Sequence, residues 1–213
     1  MGCMIWMRYV LNAVKTYLTM SHKQQVNFCK QVRKKFPSHF NRVNVIDCGA
    51  LDINGNNRYL FKWSNYIGID IVDGVNVDVV GKISDKITDI TFPNAPWKMM
   101  MNPDKVYNPK KANTIISTEM LEHDEEWAYS LDTMFAKLLP GGLLLITAAG
   151  QGRKEHGTHK HEPTSSPGTL DYYRNITNEM FSSILPPRYF KEYYMNQDPA
   201  NNDFQFYGIK RLG

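Results

Sequence analysis

The stretch V43-N-V-I-D-C-G-A-L-D-I-N-G55, followed by Y66-I-G-I-D70, decides how this chain folds. Val43–Cys48 is a short apolar run bounded by a glycine-containing loop, which predicts a buried strand. Gly49 then lets the backbone turn tightly and approach a ligand. Tyr66–Asp70 is a second strand that ends in a carboxylate. An acid in that place, about 20 residues after a glycine turn, can accept both hydroxyls of a ribose, so the pair reads as nucleoside-cofactor binding. Gly49-x5-Gly55 is not the G-x-G-x-x-G of dinucleotide folds.

Working outward, V75-N-V-D-V-V80 alternates Val75, Val77 and Val79 and predicts a third strand or an edge. N113-T-I-I-S-T118 predicts a fourth and L143-L-L-I-T-A-A149 a fifth. A helix is expected over 125–139, with Ala128, Leu131, Phe135 and Leu138 on one face and Pro140-Gly141-Gly142 ending it. A helix around Arg58–Trp63 and late strands at 188–194 and 203–209 complete the pattern. Strands alternating with helices imply a doubly wound α/β sheet. Ahead of it, residues 5–20 read as one helix, and Ser21-x-x-Gln24 is a capping box for a second. Val26, Cys29, Val32 and Phe36 form that helix's buried stripe, and Pro37 stops it. The division expected is a helical extension at 1–40 and a main domain at 41–213.

The 213 residues carry 25 Lys+Arg against 21 Asp+Glu, with 42% hydrophobic residues, which excludes a disordered or fibrous chain. Such a length buries about 70% of its unfolded surface and supports one sizeable core. The three cysteines, Cys3, Cys29 and Cys48, form no C-x-x-C, which excludes a disulfide framework and suits a reducing compartment. No run is long and apolar enough to span a membrane. Arg8 and Lys15 interrupt the apolar N-terminus, so it does not read as a signal peptide. Residues 1–46 hold eight Lys/Arg and no acid. That segment could face an anionic surface, although such runs are usually solvated helix faces.

Two long loops, 91–112 and 150–170, lie beyond strand ends, where open α/β sheets bind ligands. The acceptor site is expected between them. Glu119-x-x-Glu122-His123 follows the fourth strand, and its spacing predicts one face of a starting helix turn. Two carboxylates and an imidazole suit Mg²⁺, Mn²⁺ or Zn²⁺; the alternative is a pair that merely braces the helix. The segment G152-R-K-E-H-G-T-H-K-H161 holds His156, His159 and His161, and Tyr172-Tyr173-Arg174 follows. Aromatic faces with Arg and His could grip a polar, ring-shaped acceptor.

Taken together, VIDCGALDING, YIGIDIVDG, TIISTEMLEHDEEW and LLPGGLLLITAAG resemble the successive signatures of class I S-adenosylmethionine-dependent methyltransferases over residues 43–182. The resemblance implies a Rossmann-like seven-stranded sheet with a final antiparallel strand. It implies S-adenosylmethionine held by Asp47, Gly49, Asp52, Asp70, Ile71 and Ser117, with Gly49 under the methionine part, Asp70 on the ribose, and Ser84 and Asp85 near the adenine. Leu51 and Ile53 depart from the family's three-glycine pattern. Glu-Met-Leu-Glu-His is similar to the motif of ubiquinone-pathway O-methyltransferases and of enzymes that methylate the 3′-terminal ribose of small RNAs. That likeness implies a divalent cation, Mg or Mn, on Glu119, Glu122, His123 and His156, with Glu119, His123 and His156 catalytic. The 155–175 segment resembles methyltransferases of surface-polysaccharide pathways, such as the O-methyltransferase domain of large-DNA-virus rhamnosyltransferases. It implies a glycan acceptor, with a deoxyhexose such as rhamnose contacted by His159, Tyr172, Tyr173 and Arg174. It also implies a place within a larger multidomain chain, and a cytoplasmic site of action, the host cytoplasm for a viral protein. An RNA ribose or a small molecule is the alternative acceptor, and a non-catalytic RNA-binding module is a third reading. No Asn-Pro-Pro-Tyr follows the fourth strand, so the amino-methylating signature is missing.

Overall fold

The computed structural model describes residues 23–86, 90–93, 108–169 and 171–212. The helix expected at 5–20, the Ser21 cap and most of the 91–112 loop lie outside them. The described chain forms one seven-stranded sheet in the order β3-β2-β1-β4-β5-β7-β6. The strands are β1 (Asn44–Cys48), β2 (Asn65–Asp70), β3 (Val79–Val80), β4 (Ala112–Thr118), β5 (Leu138–Ala149), β6 (Phe190–Asp198) and β7 (Asp203–Lys210). The pairs from β3 through β5 are parallel, and β7 runs antiparallel to both β5 and β6. The expected sheet with its antiparallel last strand is therefore present.

The central strands β1 and β4 are buried along nearly their whole length because both of their faces are covered. Successive side chains point to opposite sides of a strand. Ile46, Ile115, Leu144 and Phe206 enter one core, while their neighbours Val45, Ile116, Leu145 and Tyr207 enter the other. Helix α1 (Lys23–Lys35) covers the second core with Phe28, Cys29 and Val32. Helices α3 (Trp127–Lys137) and α4 (Asn178–Ile184) close the first through Leu131, Met134 and Phe181. In α1 the buried stripe includes Phe28, and Val26 turns instead toward the cleft described below. No helix among the described residues is long and apolar enough to cross a membrane.

Several boundaries differ from the sequence expectations. The strand expected at 75–80 shrinks to Val79–Val80, because Asn76 and Asp78 fold back on β2. Asp78 N–H donates to Gly68 O (2.8 Å), and Gly68 N–H donates to Asp78 Oδ2 (2.8 Å). A Cβ on Gly68 would lie 2.1 Å from Asn76 O, so only glycine fits there. The helix around Arg58–Trp63 is a single 3-10 turn, Arg58–Leu60. Pro140-Gly141-Gly142 lies inside β5, where the register against β4 shifts. Two helices were not anticipated. One is the short α2 (Ile83–Lys86); the other is α4, capped by Thr177 Oγ1 accepting from Met180 N–H (3.3 Å).

The strand order reverses between β1 and β4. Chain leaves β1 toward β2 on one side, while β4 and β5 lie on the other. A crevice therefore opens at the carboxyl ends of β1 and β4, where such sheets bind ligands.

Candidate functional site

A cleft of about 1840 Å3 occupies that crevice. Gly49 (φ +77°) forms its floor, and a Cβ there would sit 2.5 Å from Met120 Cβ. The turn after β1 is thus pressed against the turn after β4. Gly49 and Ala50 N–H both donate to Ile69 O (2.9 and 3.0 Å), which fixes the turn to the end of β2. Asp70 lines the cleft. Its Oδ2 accepts from Leu51 N–H (3.0 Å) and its Oδ1 from Val72 N–H (3.1 Å). Each oxygen keeps a further lone pair for a donor in the cleft, such as a ribose hydroxyl.

The other residues expected at a cofactor divide. Ile71 lines the cleft, 38% exposed. Asp47 also borders it but is 1% exposed and engaged below the floor. Tyr66 OH donates to Asp47 Oδ2, and Asn57 Nδ2 bridges Asp47 (3.3 Å) and Thr118 Oγ1 (3.0 Å). Asn57 therefore joins the loop after β1 to the end of β4, and Asp47 ties it to β2. Asp52 is spent on its own loop, accepting from Gly55 N–H (2.8 Å) and Asn56 Nδ2 (2.6 Å). That Asx turn is what lets the loop close without the usual glycines. Ser117 is fully buried in β4, where Thr118 faces the cleft instead. Near the expected adenine end, Gly81, Lys82 and Ile83 form the wall; Ser84 is buried and Asp85 is exposed.

Burial pushes the Asp47 carboxyl up to about 7, against the hydrogen bonds from Tyr66 and Asn57 that lower it. The folded value thus lies above the ~3.9 of an unfolded aspartate. The stability this group contributes is present below about pH 4 and is lost as pH rises through about 7. Asp47→Asn should therefore become progressively more stable relative to the parent between pH 4 and 7, by at most about 1.4 kcal/mol per pH unit. Urea unfolding at several pH values checks this; parallel curves would refute it.

Across the cleft, Glu119 does not begin a helix. It adopts a left-handed backbone (φ +56°), and the following 3-10 turn is Leu121–His123. This twist separates the carboxylates that the spacing had placed on one face. Glu119 turns to Arg153 (3.4 Å), which also pairs with Asp203 of β7. Burial first, then Asp203, pushes the Glu119 carboxyl up, and Arg153 opposes the shift. Glu122 is fully buried, with Oε1 accepting from Ala149 N–H (3.0 Å) and Oε2 lacking a hydrogen-bond partner. Its carboxyl is raised by burial and by Glu119.

His123 is 6% exposed, and its Nδ1 also lacks a partner. Burial, then His156, lowers its pKa to about 4, so the ring is neutral at physiological pH. The His156 ring stands edge-on to it at 5.0 Å, and Tyr173 packs against both rings (5.5 and 5.1 Å). Gly157 (φ +68°) makes this possible: a Cβ there would reach within 2.7 Å of His123 Cε1. Ligand atoms of Glu122, His123 and His156 all lie within 4.8 Å of one another. Of the expected metal set, Glu122, His123 and His156 converge, while Glu119 is turned toward Arg153 and stands outside the group, neither of its oxygens making a hydrogen bond.

The expected acceptor residues also divide. Tyr172 lines the cleft. Tyr173 donates from its hydroxyl to Lys154 O (3.0 Å) and serves as the packing partner of the two histidines. His159 lies outside, exposed and paired with Asp171 (3.1 Å), and Arg174 is exposed, its N–H donating to Glu122 O (2.8 Å). Sequence reasoning missed Arg153, Asp203, Met120 and Lys82. For Arg153 the available signal was its place four residues after the expected end of β5, inside the segment already noted for its histidines.

The overall fold is similar to that of solved S-adenosylmethionine-dependent methyltransferases. The 1,6-didemethyltoxoflavin-N1-methyltransferase of Burkholderia thailandensis superposes with a TM-score of 0.54 at 13% identity, over 94% of this chain and 86% of that one. The N-methyltransferase NodS of Bradyrhizobium japonicum gives 0.53 at 13%, over 92% and 91%. A SAM-dependent methyltransferase of Archaeoglobus fulgidus gives 0.54 at 12%, over 87% and 94%. No protein-family model matches the chain, and no curated protein matches it in sequence. The chain therefore has the class I methyltransferase fold.

Proposed function

We propose that the chain is an S-adenosylmethionine-dependent O-methyltransferase acting on a sugar hydroxyl of a glycan, a deoxyhexose such as rhamnose. The observation that carries the methyl-transfer reading is the Gly49 turn facing Asp70 at the β1/β4 crevice. The structures of similar fold that were solved with S-adenosylhomocysteine support it. S-adenosylmethionine supplies a methyl group already activated on its sulfonium, so the protein's task is to align the acceptor and remove its proton. In this reading Asp70 takes the ribose hydroxyls, Gly49 passes beneath the methionine part, and Ile71 and Ile83 give apolar wall.

An aliphatic hydroxyl is a poor nucleophile at neutral pH and needs a base or a Lewis acid beside it. The neutral His123, His156 and the buried Glu122 are the groups placed for this, with Tyr172 at the cleft wall for the acceptor ring. A divalent cation fits these residues. A buried carboxylate oxygen and a buried imidazole nitrogen without hydrogen-bond partners are costly unless something satisfies them. Glu122, His123 and His156 would hold the ion, which would lower the pKa of an acceptor hydroxyl. Arg153 keeps Glu119 oriented at the cleft and balances its charge.

A second reading, methylation of an RNA ribose 2′-hydroxyl, is favoured by the cations along α1: Lys30, Arg33 and Lys34. Cytoplasmic action is part of the proposal, since Cys29 and Cys48 are free and buried. Mass spectrometry of glycan, RNA and small-molecule acceptor panels with labelled S-adenosylmethionine tests the function. A mass gain of one methyl on a sugar hydroxyl is expected; transfer only to nitrogen would overturn the O-methyl reading.

A further inference from the structure

We infer that the acceptor is an acidic glycan chain whose neighbouring units lie in a cationic groove running from the cleft along α1. The inference rests on the sugar-acceptor reading above and adds the substrate's charge and length. Beside α1 lies a groove of about 530 Å3 whose walls include Lys30, Arg33, Lys34, Tyr59 and Lys62, with no carboxylate among the lining residues described. Lys30 and Tyr59 line both this groove and the large cleft, so the two adjoin. A chain with one sugar at the Lys30–Tyr59 edge of the cleft has the groove beside it for its next units.

Two further features point to a ligand. Tyr59 is 50% exposed at the junction, and Trp63, just beyond Lys62, is 71% exposed. Arg42 lies over the Trp63 ring at 5.2 Å, and both residues adopt left-handed backbones (φ +54° and +48°). Non-glycine residues in that region cost free energy, and such strain gathers at functional sites. Here it holds a large indole in solvent, where burial returns little. The groove's cations come mostly from a segment that lacks any acid up to Asp47, while the remainder of the chain is net negative. Charge complementarity therefore selects an anionic occupant.

A single-stranded polynucleotide fits less well. Such strands need successive bases stacked on aromatic faces. Of the two aromatic residues among the described lining, Phe40 is buried and only Tyr59 presents an exposed ring, and Trp63 already carries a guanidinium on its ring. Acidic sugars need cations for their carboxylates and hydroxyls, with an occasional aromatic surface against a ring face, which is what the groove supplies.

Calorimetry with an oligogalacturonide, a maltooligosaccharide and an oligouridylate of matched length tests the inference on the whole chain. The oligogalacturonide should bind with a salt-dependent affinity and the neutral oligosaccharide much more weakly. Lys34→Glu with Lys62→Glu, both exposed, should weaken oligogalacturonide binding roughly tenfold or more, as charge reversals at a complementary surface do. The melting temperature and S-adenosylhomocysteine affinity should stay at parental values. Equal affinity for neutral and acidic oligosaccharides, tighter binding of the oligouridylate, or an unchanged double variant would each overturn the groove. Loss of S-adenosylhomocysteine binding by the parent would instead overturn the methyltransferase reading, so the two failures are distinguishable.

Discussion

Replacing His156 with alanine should lower methyl transfer to the sugar hydroxyl by ~10²–10⁴-fold, the usual worth of a positioned base, and leave cofactor affinity nearly unchanged. The expectation follows from the convergence of His156, His123 and Glu122, with both histidines lining the same cleft as Gly49 and Asp70. His123→Ala should give a loss of similar size, because His123 supplies a neutral imidazole whose Nδ1 has no hydrogen-bond partner. S-adenosylhomocysteine calorimetry and a thermal melt on each variant separate a catalytic loss from a folding loss. Activity with S-adenosylmethionine before and after exhaustive EDTA treatment then divides the two ways the cluster can work. Loss on chelation, restored by Mg²⁺ or Mn²⁺, assigns Glu122, His123 and His156 to an ion. Full activity after chelation leaves His156 as a general base and removes the metal. Near-parental activity of His156→Ala would refute both.

Asp70→Ala should weaken S-adenosylhomocysteine binding by roughly 1.5–3 kcal/mol, about 10- to 150-fold, because hydrogen bonds to a charged group are worth that much. Its carboxylate also receives Leu51 and Val72 N–H, so some of the loss would come from a loosened loop. Asp70→Asn keeps the shape and one carbonyl acceptor, and should fall between the parent and Asp70→Ala. Unchanged affinity in Asp70→Ala would remove the ribose assignment. Binding of NAD in place of S-adenosylhomocysteine would remove the class.

Much of the fold was legible because its signals are local. LLLITAA is an apolar run, and VNVIDC and NTIIST place adjacent apolar residues, Val45–Ile46 and Ile115–Ile116, at their centres, which marks strands covered on both faces. Gly49 and Asp70 were legible for the same reason: one is a turn residue directly after a strand and the other a carboxylate ending one. The alternation in VNVDVV misled, since Val75 is 72% exposed in a turn and only Val79–Val80 pairs. Its polar partners, Asn76 and Asp78, are occupied by contacts with Ala50, Arg58 and Gly68, which no period within the segment reports.

The strand inventory, the glycine turn after β1 and the residue types available for chemistry were therefore legible from the order of residues alone. Which of those residues meet was decided only by the tertiary structure. Glu119 follows β4, Arg153 follows β5 and Asp203 opens β7, and they meet because Thr118 pairs with Thr147 and Ala149 pairs with Asp203 across the sheet. That pairing gives Glu119 a guanidinium and takes it out of the Glu122–His123–His156 cluster. His123 and His156 lie 33 residues apart yet stand ring to ring, because Gly157 leaves no side chain between them. Spacing along a chain fixes which groups share a face only while the backbone stays regular. At Glu119 it turns left-handed, and from there sheet register and burial decide which charge each carboxylate faces.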